Sequence, residues 1–157
     1  MIDLPALVER LVARGETVAA AESLTGGLLT ATLVTVPGVS RVLRGGLVVY
    51  ATDLKHSLAG VDAELLAERG PVDPDVALGL ARGARERCRA DWGLATTGVA
   101  GPGPQDGVPA GTVYVALAGP DAHEEVCSFR IDGDRSHVRS VAVEVALDLL
   151  RKAVGAG

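Results

Sequence analysis

A chain of 157 residues with 48% hydrophobic residues has the apolar content for one domain with a real core, which excludes a disordered polypeptide. Aromatic residues are only 3%, so the core must be built from Val, Leu and Ala, and stacking platforms for nucleic-acid bases are lacking. A net charge of −5 without a long basic run argues against direct nucleic-acid binding, which needs several phosphate-neutralising Lys or Arg on one surface. Cys88 and Cys127 form no CxxC pair; the count fits a reducing compartment, with each thiol filling a small apolar gap. No N-terminal stretch reads as a signal peptide and no apolar run is long enough to span a bilayer, so a cytoplasmic protein away from membranes is expected.

Leu4, Leu7, Val8, Leu11 and Val12 repeat at helical spacing, with Asp3 as cap, Pro5 in the first turn and Gly15 as the stop. Residues 17–22 read as a short buried strand. A second helix is predicted from Thr25 to about Val34, ahead of Pro37-Gly38. Gly45 and Gly46 open a strand, Leu47-Val48-Val49-Tyr50, which leads into Ala-Thr-Asp-Leu-Lys-His. Residues 62–69 form a short helix, and Asp73-Pro74 starts a longer one with Val76, Ala77, Leu80, Ala81, Ala84 and Cys88 on one face. A strand from Trp92 to Thr97 runs into a Gly-Pro-rich loop ending at Gly107. Thr112–Leu117 reads as a strand, and Glu125–Ile131 alternates like a half-exposed one. Val138, Val141, Ala142, Val145, Ala146, Leu149 and Leu150 form the apolar stripe of a last helix. This order predicts a single three-layer α/β/α domain over residues 1–157, with a mixed, mainly parallel sheet.

In α/β sheets, binding and catalytic groups gather where strands end and helices begin. In Glu22-Ser23-Leu24-Thr25-Gly26-Gly27, Ser23 stands at a strand end as a candidate nucleophile. The glycines admit close approach, and free N–H groups of the following helix can hold an anion or oxyanion. The competing reading is a helix cap in which nothing reacts. In Tyr50-Ala51-Thr52-Asp53-Leu54-Lys55, the lysine can act as a base for a serine if burial or neighbouring cations lower its pKa from about 10.4; otherwise it is a solvated lysine, and Tyr50 a core residue. Thr96–Pro104 carries successive glycines that can form an anion-binding nest, or merely a surface turn; its spacing fits neither a Walker loop nor a dinucleotide fingerprint. At the start of the last helix Asp134 is a natural cap. Arg135 and Arg139, four apart on one face, can grip a phosphate or carboxylate, or simply face solvent. His56, His123 and His137 are scattered, so no metal site is expected, and Gly26 at three residues after Ser23 rules out an SxxK enzyme.

Together these stretches resemble the C-terminal domain of the competence/damage-inducible protein CinA, whose stand-alone members are nicotinamide-nucleotide amidohydrolases. The matching pieces are Ala21–Gly27, Gly46–Tyr50 through Lys55, Thr97–Pro102, Pro109–Tyr114 and Gly133–Arg135 through Arg139, in order from about residue 5 to residue 152. The resemblance implies hydrolysis of the carboxamide of nicotinamide mononucleotide to nicotinate mononucleotide and ammonia, without a cofactor. It implies Ser23 as nucleophile and Lys55 as base, with Tyr50 and Thr97 at further active-site positions. Substrate contacts are expected from Glu22, Thr25, Gly26, Gly27, Thr97, Gly98, Ala100, Gly101, Arg135 and Arg139. The family's larger form carries an N-terminal domain resembling molybdopterin-binding proteins; a single-domain form is expected here.

Two features depart from the family pattern. Asp73 stands where many relatives have serine and reads mainly as a helix cap, and the 102–107 loop, which varies in the family, is expected to tune access. Glu22 is expected to pair with Lys55 or with the positive pyridinium ring; the first pairing would raise the lysine pKa and oppose its use as a base. The rival readings are a non-catalytic nucleotide-binding module, with Ser23 only a cap, and a competence- or damage-related interaction domain that does not need Ser23. The apolar bias and half-exposed late strands suggest a homo-oligomer, most simply a dimer.

Overall fold

The computed structural model describes residues 1–157. The chain runs α1 (Leu4–Arg14), β1 (Val18–Glu22), α2 (Leu28–Val34), β2 (Leu43–Val48), α3 (Thr52–Ser57), α4 (Ala63–Arg69), α5 (Pro74–Cys88), β3 (Trp92–Gly98), β4 (Thr112–Ala118), β5 (Glu124–Arg130) and α6 (Arg135–Val154). Four helices start at an aspartate that accepts from a free backbone N–H. Asp3 takes Ala6 N, Asp62 takes Glu64 N, Asp73 takes Asp75 N and Val76 N, and Asp134 takes His137 N. Such a cap is worth about 1 kcal/mol. Asp73 is thus a helix cap, as its place before Pro74 implied.

The strands form one sheet in the order β2-β1-β3-β4-β5. β1 pairs in parallel with β2 and β3, whereas β3–β4 and β4–β5 are antiparallel. Four strands therefore share one direction and β4 alone opposes them. Helices cover both faces. On one face Leu7 and Leu11 of α1, Leu29 and Leu33 of α2 and Leu147 and Leu150 of α6 pack with Val18, Ala20, Leu94 and Val115. On the other, Val76, Leu80, Ala81 and Ala84 of α5 lie against Ala19, Ala21, Ala95, Ala116 and Ala118. That second face is nearly all alanine, which lets α5 come close. A Cβ on Gly93 would collide with the Ala81 carbonyl of α5. The scarcity of aromatic residues is therefore a geometric property of a thin layer. No helix is long and apolar enough to cross a membrane.

Two boundaries differ from expectation. The second helix starts at Leu28 instead of Thr25, because residues 24–27 form a turn in which Gly26 and Gly27 take φ of 58° and 104°. Positive φ cannot belong to a right-handed helix and suits glycine. The second strand covers Leu43–Val48 and includes Gly45 and Gly46, which pair with Ala19 and Ala20. A Cβ on Gly46 would run into the Thr30 hydroxyl of α2, so this glycine admits a helix instead of opening a strand.

The connection leaving β1 passes over the face covered by α2, and the one leaving β2 passes over the face covered by α5. The chain thus changes faces beside β1, and a crevice opens at the carboxyl ends of β1, β2 and β3.

Candidate active site

Ser23 follows β1 directly, and its N–H donates to the Thr96 carbonyl of the neighbouring β3 at 3.0 Å. Lys55 lies in α3, a six-residue helix in a stretch to which the sequence assigned no element; one turn of helix turns the lysine inward. The two meet with Lys55 Nζ 2.9 Å from Ser23 Oγ. Nζ also donates to the carbonyls of Val49 at 2.8 Å and Tyr50 at 3.1 Å. Ser23 is 7% exposed and Lys55 1%. Lys55 has no carboxylate partner among the ion pairs of the molecule. Burial lowers its pKa from 10.5 to about 8, since desolvation disfavours the charged form. In the neutral state its two N–H bonds satisfy the two carbonyls and its lone pair faces the Ser23 hydroxyl. That is the hydrogen-bond pattern a base needs to take a serine proton.

The pair opens into a cavity of about 280 Å³, at the small end for a ligand pocket, whose walls include Tyr50, Pro71, Thr97, Gly98, Ala100, Gly101, Gln105 and Arg135. Thr97 is held by a 2.6 Å hydrogen bond to the Pro71 carbonyl, which ties the end of β3 to the segment before α5. Tyr50 is 60% exposed, so it is no core residue; its hydroxyl accepts from Arg135 Nη2 at 3.2 Å. Arg135 Nη1 donates to the Gly101 carbonyl at 2.8 Å, so this arginine bridges the two rims of the cavity. The N–H groups of Ala100 and Gly101 donate no hydrogen bond within the protein.

Several expected contacts lie elsewhere. Glu22 does not pair with Lys55 and is fully buried on the opposite side of β1. Its carboxylate accepts from Gly27 N, Leu29 N, Thr30 N and the Thr30 hydroxyl at 3.2, 2.8, 2.9 and 2.6 Å, capping α2. Four donors fill its acceptor sites, so it has nothing left for a substrate. Gly27 spends its N–H on that cap, and Gly26 donates to the Ser23 carbonyl at 3.0 Å. Neither offers the oxyanion contact expected of it. Thr25 is buried, with its hydroxyl 2.8 Å from that of Thr96. Arg139 does not join Arg135 as an anion grip. One turn along α6 it points the other way, holding the carbonyls of Leu24 and Thr25, each at 2.9 Å.

Pro71 and Val72 line the cavity although the sequence marked neither for the site, and Gln105 lines it from the 102–107 loop expected to tune access. The Gly70-Pro71 and Pro104-Gln105 segments signalled turns, but nothing local showed that both turn toward Ser23. A larger groove of about 640 Å³ lies between the N-terminus, β5 and α6. Its one thiol, Cys127, is pushed up in pKa by burial and kept from the reactive thiolate form.

The fold and this site define a class: a three-layer α/β domain with a buried serine–lysine pair at the switch point of its sheet. Residues 4–154 match the family described as the CinA C-terminal domain, and the chain belongs to that family. A CinA-like protein of Frankia casuarinae is 52% identical over 142 residues, covering 90% of this chain and 33% of that protein. One from an Anaeromyxobacter species is 51% identical over 154 residues, covering 97% and 37%. The chain thus spans about a third of the length of these curated relatives. Solved structures cover the same unit. A CinA superfamily protein from Klebsiella pneumoniae superimposes with a TM-score of 0.91 at 31% identity, covering 97% of this chain and 95% of that one. One from Escherichia coli gives 0.91 at 33% identity, covering 96% and 87%.

Proposed function

We propose that this domain is a nicotinamide mononucleotide deamidase, hydrolysing the carboxamide to nicotinate mononucleotide and ammonia in pyridine nucleotide recycling. The observation that carries this reading is the buried Lys55 amine, poised near pKa 8 and 2.9 Å from Ser23 Oγ. A lysine placed only to hold a phosphate would have no reason to be buried against a hydroxyl and two carbonyls.

Ser23 Oγ attacks the carboxamide carbon, and its proton passes to the neutral amine of Lys55. The carbonyl electron pair moves onto oxygen, giving a tetrahedral oxyanion. When this collapses, the C–N bond breaks and Lys55 returns the proton to the leaving nitrogen, which departs as ammonia. Water then adds to the acyl ester with Lys55 again as base, releasing the carboxylate and restoring Ser23. Arg135 and the free amides of Ala100 and Gly101 supply the charge and donors that a substrate phosphate requires. Tyr50 and Thr97 shape the walls on either side.

Ammonia release from nicotinamide mononucleotide by the native chain, Ser23→Ala and Lys55→Arg is the direct test. Both variants should fold and lose on the order of 10³-fold or more in kcat. A native chain that binds the nucleotide as tightly as both variants and releases no ammonia would instead be a binding module, with Ser23 a cap.

A further inference from the structure

Arg139 sits in the second turn of α6, half-buried and without a carboxylate partner. Its guanidinium spends Nε on the Leu24 carbonyl and Nη2 on the Thr25 carbonyl. The carbonyl just before these, that of Ser23, accepts from Gly26 N. Three consecutive carbonyls of the turn after Ser23 are therefore occupied. The amides tell the opposite story. Leu24 N–H and Thr25 N–H donate no hydrogen bond within the protein, although Leu24 is 4% exposed and Thr25 is fully buried. Unpaired buried amides are rare, and two in succession are rarer. In a trans peptide the N–H points away from the C=O of the same unit. Holding the Leu24 carbonyl toward Arg139 therefore turns the Thr25 N–H away from it, and holding the Ser23 carbonyl in the turn does the same for Leu24 N–H.

We infer that Arg139 is a positioning residue for the amide-cleaving step: it pins the turn after Ser23 so that the amide of Leu24, which lines the cavity beside Ser23, is presented to the oxyanion formed on the Ser23-bound carbon. This rests on the proposed deamidase reading. Without the guanidinium the turn loses the two bonds that fix its Leu24 and Thr25 carbonyls, and the Leu24 amide is no longer held against the developing negative charge. Losing one oxyanion donor typically costs about 10²–10³ in rate. The two arginines of α6 thus divide the work: Arg135 faces the cavity and Arg139 holds its floor from behind.

The experiment compares the native chain with Arg139→Lys and Arg139→Leu. Arg139→Lys keeps the charge but loses the fork, and Arg139→Leu removes both. Kinetics with nicotinamide mononucleotide should show kcat falling about 10-fold or more in Arg139→Lys and further in Arg139→Leu, with KM within a few-fold of native. A raised KM with native kcat would overturn the inference and return Arg139 to phosphate binding. A second measurement does not depend on that substrate. Phenylboronic acid forms a tetrahedral, negatively charged adduct on a reactive serine, placing an oxygen where the oxyanion stands. Its affinity should fall at least 10-fold in Arg139→Lys with thermal unfolding unchanged. Equal boronate affinity in native and variant sinks the positioning role even if the native chain is an active deamidase. A native chain that takes the adduct but releases no ammonia breaks the deamidase reading while leaving the positioning role to be decided by the affinities. A native chain that does neither overturns both.

Discussion

Glu22 and Lys55 are both buried charged residues, and both stand beside Ser23, one before it in sequence and one across from it in space. Their surroundings differ completely. Glu22 receives four hydrogen bonds, three from the N-terminal amides of α2 and one from Thr30, so its charge is dispersed into fixed donors. Lys55 meets two carbonyls and a hydroxyl and no carboxylate. A buried charge whose every lone pair is occupied holds a fold together. A buried charge left without a counter-ion is unstable as an ion, and that instability makes the amine a usable base. Had Glu22 faced Lys55, the ion pair would have kept the lysine protonated.

Removing Glu22 gives the largest change in stability expected from this contrast. Glu22→Ala leaves the α2 amides and the Thr30 hydroxyl without an acceptor and should cost roughly 3 kcal/mol or more in urea unfolding. A loss within about 0.5 kcal/mol would show that water caps α2 equally well and that Glu22 is free for another role.

The pH dependence of Lys55 sharpens the other half. Its folded pKa of about 8 lies below the unfolded value of 10.5. Below pH 8 both states hold the proton, and the folded chain bears the cost of burying an ammonium. Between pH 8 and 10.5 the unfolded chain binds more protons, so stability rises with pH. Relative to Lys55→Met, the native chain should gain roughly 3 kcal/mol across that window, at 1.36 kcal/mol per unit. The proposed deamidation should rise through the same apparent pKa as the neutral amine is populated. A native-minus-variant difference that stays flat with pH would mean an ordinary solvated lysine.

The smallest effect comes from Gly46→Ala. The new methyl group would press on Thr30, whose hydroxyl donates to Glu22, so a loss of about 1–2 kcal/mol is expected. Combined with Glu22→Ala, the two losses should add to less than their sum, because they act through one contact. Strict additivity would place the strain elsewhere.

Much of this was legible in the order of residues. The strand and helix periods, the aspartate caps and the glycine-rich strand ends follow from local chemistry, which acts within a few residues of chain. The same holds for Ser23 as a candidate nucleophile: a hydroxyl followed by glycines after an apolar run is a local signal. Lys55 could be nominated but not enlisted, since its short helix is set by packing and its pKa by burial, neither of which a hexapeptide displays.

Pairing and direction were beyond the sequence. Arg135 and Arg139 have the spacing of two partners on one face, yet one reaches Gly101 and Tyr50 while the other holds Leu24 and Thr25, more than a hundred residues earlier in the chain. Glu22 offered two plausible partners and took neither, because alternation along β1 sends its side chain to the α2 face. By itself, then, the sequence determined the α/β layering, the cap positions and the residue types available at three strand ends. Only the tertiary structure decided which charge is satisfied and which is stranded, because that depends on desolvation and on donors brought together from distant segments.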